Sequence, residues 1–162
     1  MALLPSIAVI GAGDAPAGVC ALAFEVGRAI ATRGAVVVCG GRGGVMEAAA
    51  RGARTAGGHT IGILATYDRH SANPHIEFAI ATGMGQARNA IVVGSADAVV
   101  ALAGESGTLS EIGLALKIGR PVVALNAWDQ LAGLHRATSP ETAVAMALEL
   151  AIQSAQRKSD GK

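Results

Sequence analysis

Two loops and two side chains in this sequence are placed to do chemistry on an anion. The loops are Gly40-Gly41-Arg42-Gly43-Gly44 and Gly104-Glu105-Ser106-Gly107-Thr108, each following an apolar run and opening a helical pattern. Glycine there lets backbone approach a ligand closely. The free N–H groups and positive dipole end of a helix start favour phosphate or another oxyanion. Arg42 adds charge, and Ser106 and Thr108 add hydroxyl donors. The side chains are Arg88 and Glu111. Arg88 stands near the start of the helical pattern after Thr82-Gly83-Met84-Gly85-Gln86. The helix dipole disfavours a cation at that end, so Arg88 calls for a partner, either a carboxylate or a bound anion. Glu111 is the natural carboxylate if the fourth and fifth strands present neighbouring helix starts. Glu47 reads as a first-turn acid that stabilises its own helix.

A further Gly-rich turn, Gly11-Ala12-Gly13-Asp14-Ala15-Pro16, begins a dinucleotide fingerprint but lacks its third glycine. The second strand ends in Cys39-Gly40-Gly41-Arg42, not in the acid that would hold an NAD ribose. A Gly-x-x-x-x-Gly-Lys-Ser/Thr phosphate loop is absent. Nicotinamide cofactors and ATP hydrolysis are therefore disfavoured.

The elements that must position these groups alternate regularly. Strands are expected at 7–10, 35–39, 60–64, 76–81, 98–102 and 121–125, and helices at about 19–32, 45–56, 86–93 and 108–118. Tyr67 to Pro74 reads as a polar loop, with Asn73-Pro74 as a breaker. A last helix is capped by Ser139, with Pro140 at its first position and Glu141 in its first turn. Continuous Val/Ile/Ala strands alternating with helices indicate a doubly wound α/β fold, a mostly parallel sheet covered on both faces. Ligands bind such sheets beyond the strands' carboxyl ends. All four Gly-rich turns lie there, so they outline one crevice. Residues 1–155 are expected to form a single Rossmann-like domain and 156–162 a frayed polar tail.

Composition removes other classes. The chain has 162 residues, a formal net charge of +1, 51% hydrophobic residues and 2% aromatics. That balance offers neither a basic nucleic-acid surface nor base-stacking platforms. No apolar run reaches membrane-helix length, and Met1 to Ser6 lacks a signal-peptide pattern, so a cytoplasmic location is expected. Cys20 and Cys39 read as small buried hydrophobes, and the four His are scattered, so no protein-ligated metal is expected. Trp128, beyond the sixth strand, is a candidate to cover either the crevice or a subunit contact.

Gly40-Gly41-Arg42 followed by Gly44-Val45-Met46, then Met84-Gly85-Gln86-Ala87-Arg88-Asn89 and Gly107-Thr108-x-x-Glu111-Ile112-x-x-Ala115-Leu116-Lys117, resemble the Lonely Guy-like (SLOG) superfamily of modified Rossmann domains. Within it the chain is most similar to the molybdenum cofactor carrier proteins, from Ile7 to Leu125. The cytokinin-activating branch cleaves the N-glycosidic bond of nucleoside monophosphates with an arginine and a glutamate, which match Arg88 and Glu111. Two departures oppose that activity: Ala103-Gly104-Glu105 replaces Pro-Gly-Gly, and Asn89 stands where a lysine is usual. The first adds a negative charge and the second removes a positive one at the expected phosphate site.

The carrier resemblance implies a non-catalytic protein that binds molybdenum cofactor as cargo, protects it and transfers it. It also implies a homo-oligomer, dimer or tetramer, and a molybdoenzyme or cofactor-synthesis partner. The expected ligand-binding residues are Gly11, Gly13, Gly40, Gly41, Arg42, Gly43, Gly44, Met84, Arg88, Gly104, Ser106, Gly107 and Thr108. Arg88 and Glu111 become catalytic only in the alternative, phosphoribohydrolase reading.

Overall fold

The computed structural model describes residues 3–160. The apolar runs form strands β1 (Ser6–Ile10), β2 (Val36–Cys39), β3 (Thr60–Leu64), β4 (Phe78–Ala81), β5 (Ala98–Ala101), β6 (Val122–Leu125) and β7 (His135–Ala137). The helices are α1 (Ala17–Thr32), α2 (Val45–Thr55), α3 (Asn89–Gly94), α4 (Ser106–Lys117) and α5 (Pro140–Asp160), with 3-10 turns at Arg69–Ser71 and Gly85–Arg88. The sheet order is β4-β3-β2-β1-β5-β6-β7 and every pairing is parallel. The fold is the doubly wound α/β architecture expected, with its sheet parallel throughout.

Alternation along the strands divides the core in two. Ile7 and Val9 of β1 face Val26 and Ile30 of α1, Ala49 of α2 and Val144 of α5. Ala8 and Ile10 face the other way, toward Val92 and Val93 of α3 and Ile112 and Ala115 of α4. Helices α1 and α2 approach unusually closely because each offers a glycine to the other's backbone. A Cβ on Gly27 would run into the Ala49 carbonyl oxygen, and one on Gly52 into that of Phe24. The last helix starts as its sequence dictates, with the Ser139 hydroxyl accepting from the Thr142 N–H at 3.2 Å. No helix among the described residues is long and apolar enough to cross a membrane.

Three local expectations are corrected. Strand β4 begins at Phe78, two residues later than expected, because Thr60 intercepts the chain ahead of it. The Thr60 hydroxyl donates to the His75 carbonyl at 2.7 Å and accepts from the Glu77 N–H at 2.9 Å. The helix expected over 86–93 splits into the 3-10 turn at Gly85–Arg88 and α3. Strand β7 is an addition, pairing Val123 to Leu125 with His135 to Ala137.

The order of strands also fixes where a ligand can sit. From β1 the chain goes first to β2 on one side, and later to β5 on the other. The switch point lies between β1 and β5, which is where doubly wound sheets open a crevice.

Candidate ligand-binding crevice

Three loops leave the carboxyl ends of adjacent strands β2, β1 and β5 and surround a crevice of about 400 Å³. From the β1–α1 loop come Gly11 to Asp14, from the β2–α2 loop Arg42 and Gly43, and from α4 and its cap Glu105 to Thr108 and Glu111. Met46 of α2 and Gln86, Arg88 and Asn89 complete the lining.

Thus Gly11, Gly13, Arg42, Gly43, Arg88, Ser106, Gly107 and Thr108 come together around one space. Gly40, Gly41, Gly44 and Gly104 stand behind it and let its parts close up. A Cβ on Gly40 would occupy the place of the Arg88 guanidinium, and one on Gly104 would meet the Thr108 side chain. Gly44, at φ +61°, lies against the backbone of Ala12 and Gly13. Met84 is exposed and lies outside the lining. Trp128 lies outside it too, packed on the core beside α3 and α4 with its indole N–H donating to the Leu102 carbonyl at 2.8 Å.

The two helix starts differ in what they leave free. The Val45 N–H, first of α2, donates to the Ala12 carbonyl at 3.0 Å, so the β1 loop takes part of the donor capacity expected of α2. Helix α4 has no such cover: Glu105 at its N-cap makes no side-chain capping bond. Unpaired first-turn amides and the dipole therefore bear on the crevice mainly from α4. Asn73 fixes the β2–α2 loop, its N–H donating to the Gly41 carbonyl at 2.9 Å and its amide to that of Arg42 at 2.8 Å.

Arg88 reaches the crevice by an unexpected route. Strands β4 and β5 are not neighbours; β3, β2 and β1 lie between them. The chain after β4 instead crosses back, and α3 packs beside α4. Arg88 ends the 3-10 turn that starts this crossing and is only 7% exposed. Its Nη1 donates to Asn89 Oδ1 at 3.1 Å, while its Nε is buried with no partner among the described residues. Asn89 in turn donates to Ser110 Oγ at 3.2 Å, and Ser110 donates to the Gly107 carbonyl at 2.7 Å. This relay joins Arg88 to the first turn of α4.

Glu111 lies across from Arg88, Oε1 to Nη1 being 3.9 Å, too long for a hydrogen bond. Burial pushes its carboxyl up to about 7 against the opposing pull of Arg88. Burial likewise lowers the proton affinity of Arg88, which Glu111 partly restores. Beneath them Cys39 is fully buried, and loss of solvation pushes its thiol up to about 11. Cys20 is only half-buried. No group of three His, Cys, Asp or Glu side chains suited to a metal ion occurs among the described residues.

Ala12, Asp14, Met46, Gln86, Asn89 and Glu105 line the crevice without being among the expected ligand-binding residues. All of them lie inside motifs already noticed, so motif membership was their available signal. The role of Asn89 in orienting Arg88 depends on Ser110, 21 residues away, and carries no local signature.

Residues 4–155 match the SLOG cluster4 family, and the chain belongs to that family. The molybdenum cofactor binding protein of the phototrophic bacterium Rippkaea orientalis superposes with a TM-score of 0.85 at 38% identity, over 91% of this chain and 98% of that one. The molybdenum cofactor carrier protein of Chlamydomonas reinhardtii does so with a TM-score of 0.83 at 33% identity, over 91% and 98%. A cytokinin riboside 5'-monophosphate phosphoribohydrolase of Mycobacterium tuberculosis is 35% identical over 123 residues, 70% of this chain and 66% of that protein.

Proposed function

We propose that this member of the family is a cytoplasmic carrier that holds molybdenum cofactor in the crevice, shields it and passes it to a molybdoenzyme or cofactor-synthesis partner. The observation that carries this reading is Arg88, a buried cation lining the crevice with an unpartnered Nε, beside the uncapped start of α4. A buried donor left without an acceptor is costly, and a ligand oxyanion supplies the acceptor. Arg42, Ser106, Thr108 and the amides of α4 would take the remaining phosphate and molybdate oxygens. Similarity to two cofactor-binding proteins over nearly their whole length supports the choice of cargo. The protein, mixed anaerobically with extracted cofactor, is expected to retain it stoichiometrically through gel filtration and to lengthen its lifetime in air. Elution of the cofactor apart from the protein would sink the reading.

One observation favours a second reading. Arg88 and Glu111 face the same crevice, and a carboxyl held near 7 suits general acid–base work in a phosphoribohydrolase. Glu105 at the crevice and Asn89 beside Arg88 oppose it, since neither helps hold a nucleotide phosphate. Incubation with nucleoside 5'-monophosphates decides the matter: release of free base by the protein, abolished in Glu111→Gln, would establish the hydrolase.

A further inference from the structure

Arg88 and Glu111 are both buried in the crevice wall and neither satisfies the other. At 3.9 Å they attract without hydrogen bonding. Arg88 keeps one nitrogen unpartnered, and its contact with Glu111 is the sole polar contact of the Glu111 carboxylate among the described residues. An oxyanion that binds Arg88 from the crevice must approach this carboxylate. The ionised carboxylate repels the incoming ion and draws on the same cation. A protonated carboxyl does neither, and its O–H becomes a donor to the ligand.

Resting on the reading of the crevice as an oxyanion site, we propose that Glu111 is a proton-linked competitor for Arg88. Oxyanion binding is coupled to uptake of one proton from solvent onto the Glu111 carboxylate, and release of the ion returns that proton. The crevice therefore loads more tightly in mild acid and lets go as pH rises. Reciprocity between the two binding events requires this sign.

The surroundings leave few other groups to produce such a dependence. No histidine lines the crevice. Its other charged side chains are Asp14 on the β1–α1 loop, Arg42 on the β2–α2 loop and Glu105 at the α4 cap, all exposed. The 3-10 turn and α3 present Arg88 and Asn89, and β2 presents Cys39, whose thiol stays protonated through neutral pH. The position of the Glu111 carboxyl near 7 places the transition in the physiological range.

Sulfate and molybdate are suitable probes, because both remain dianions from about pH 6 to 8. Sulfate stands for the phosphate end of a ligand and molybdate for its metal end, so their relative affinities show which end the subsite takes. Calorimetry on the intact chain should show affinity falling roughly tenfold between about pH 6 and pH 8, the span over which Glu111 loses its proton. At about pH 8, in two buffers of different ionisation enthalpy, close to one proton should be taken up per ion. In Glu111→Gln the slope should shrink below about twofold, with affinity at about pH 8 matching the wild-type value at about pH 6. A slope that persists in Glu111→Gln, or binding without proton uptake, overturns the coupling. Retention of extracted cofactor with neither ion bound overturns it too and leaves the carrier reading standing. Failure to bind the ions and the cofactor alike overturns both.

Discussion

Arg88 is the residue on which the crevice turns, because it combines burial, charge and an unspent donor. A charge-assisted hydrogen bond contributes about 1.5–3 kcal/mol, so its loss costs on the order of ten- to a hundredfold in affinity. Arg88→Ala should therefore abolish retention of an anionic ligand in gel filtration. Arg88→Lys should restore little, since the position of Nη1 is set by Asn89 Oδ1 and an ammonium cannot serve both partners in the guanidinium's planar geometry. Equal retention by wild type and Arg88→Lys would show that charge alone matters. Glu111 makes a separate prediction about stability. Its folded carboxyl titrates near 7 and its unfolded carboxyl near the ordinary value of 4.5, so the native state holds more protons between those limits. Stability from this group is fully present below about 4.5 and is lost as pH rises through 7. Glu111→Gln should thus match the wild type at about pH 4. It should exceed it by up to about 3 kcal/mol at about pH 8, read as the difference between their denaturation midpoints.

Elements carry the next level, and their glycines separate packing from function. At Gly27 an added methyl meets the backbone of α2, which cannot move without the sheet beneath it. Gly27→Ala should destabilise the protein by about 1–3 kcal/mol or more. At Gly40 the added methyl meets the far end of Arg88, a side chain that can swing aside. Gly40→Ala should unfold at nearly the wild-type temperature yet bind anionic ligand far more weakly, and thermal scans with and without ligand would read both effects. The elements also show what a sequence carries locally. Strands β1, β2, β5 and β6 announce themselves by apolar runs, and the α5 cap by Ser139-Pro140. Strand β7 does not, because only Ala137 of its three residues is buried and an edge strand that short has no alternation to read. The glycine loops were legible as the walls of one crevice because turns at the carboxyl ends of parallel strands carry a local signature. The meeting of Arg88 with Glu111 was expected from the dipole argument and the motif, but by way of neighbouring fourth and fifth strands, which the sheet does not have. Its physical cause, the crossing from β4 back to α4, depends on strand order, which no local pattern encodes.

At the scale of the whole molecule, one face remains to be accounted for. Parallel pairing sets Phe78 and Ile80 of β4 beside Ile61 and Ile63 of β3, on the side of the sheet covered by α3 and α4. Those helices do not extend over β4, and Phe78 and Ile80 are 53% and 49% exposed. Two large apolar side chains left half exposed on an edge strand suit an association surface, and burying the remainder of each would contribute about 1 kcal/mol. The expected state is thus a homo-oligomer assembled through this face, with the crevice opening separately at the ends of β1, β2 and β5. Light scattering should give a dimer or tetramer for the wild type. The double change Phe78→Glu and Ile80→Glu should shift the mass downward, because it buries two unpaired charges in any such contact. The crevice lining contains neither residue, so anion affinity per chain should stay within about twofold of wild type. A wild-type monomer, or an oligomer indifferent to both substitutions, would mean that the β4 edge faces solvent in the working protein.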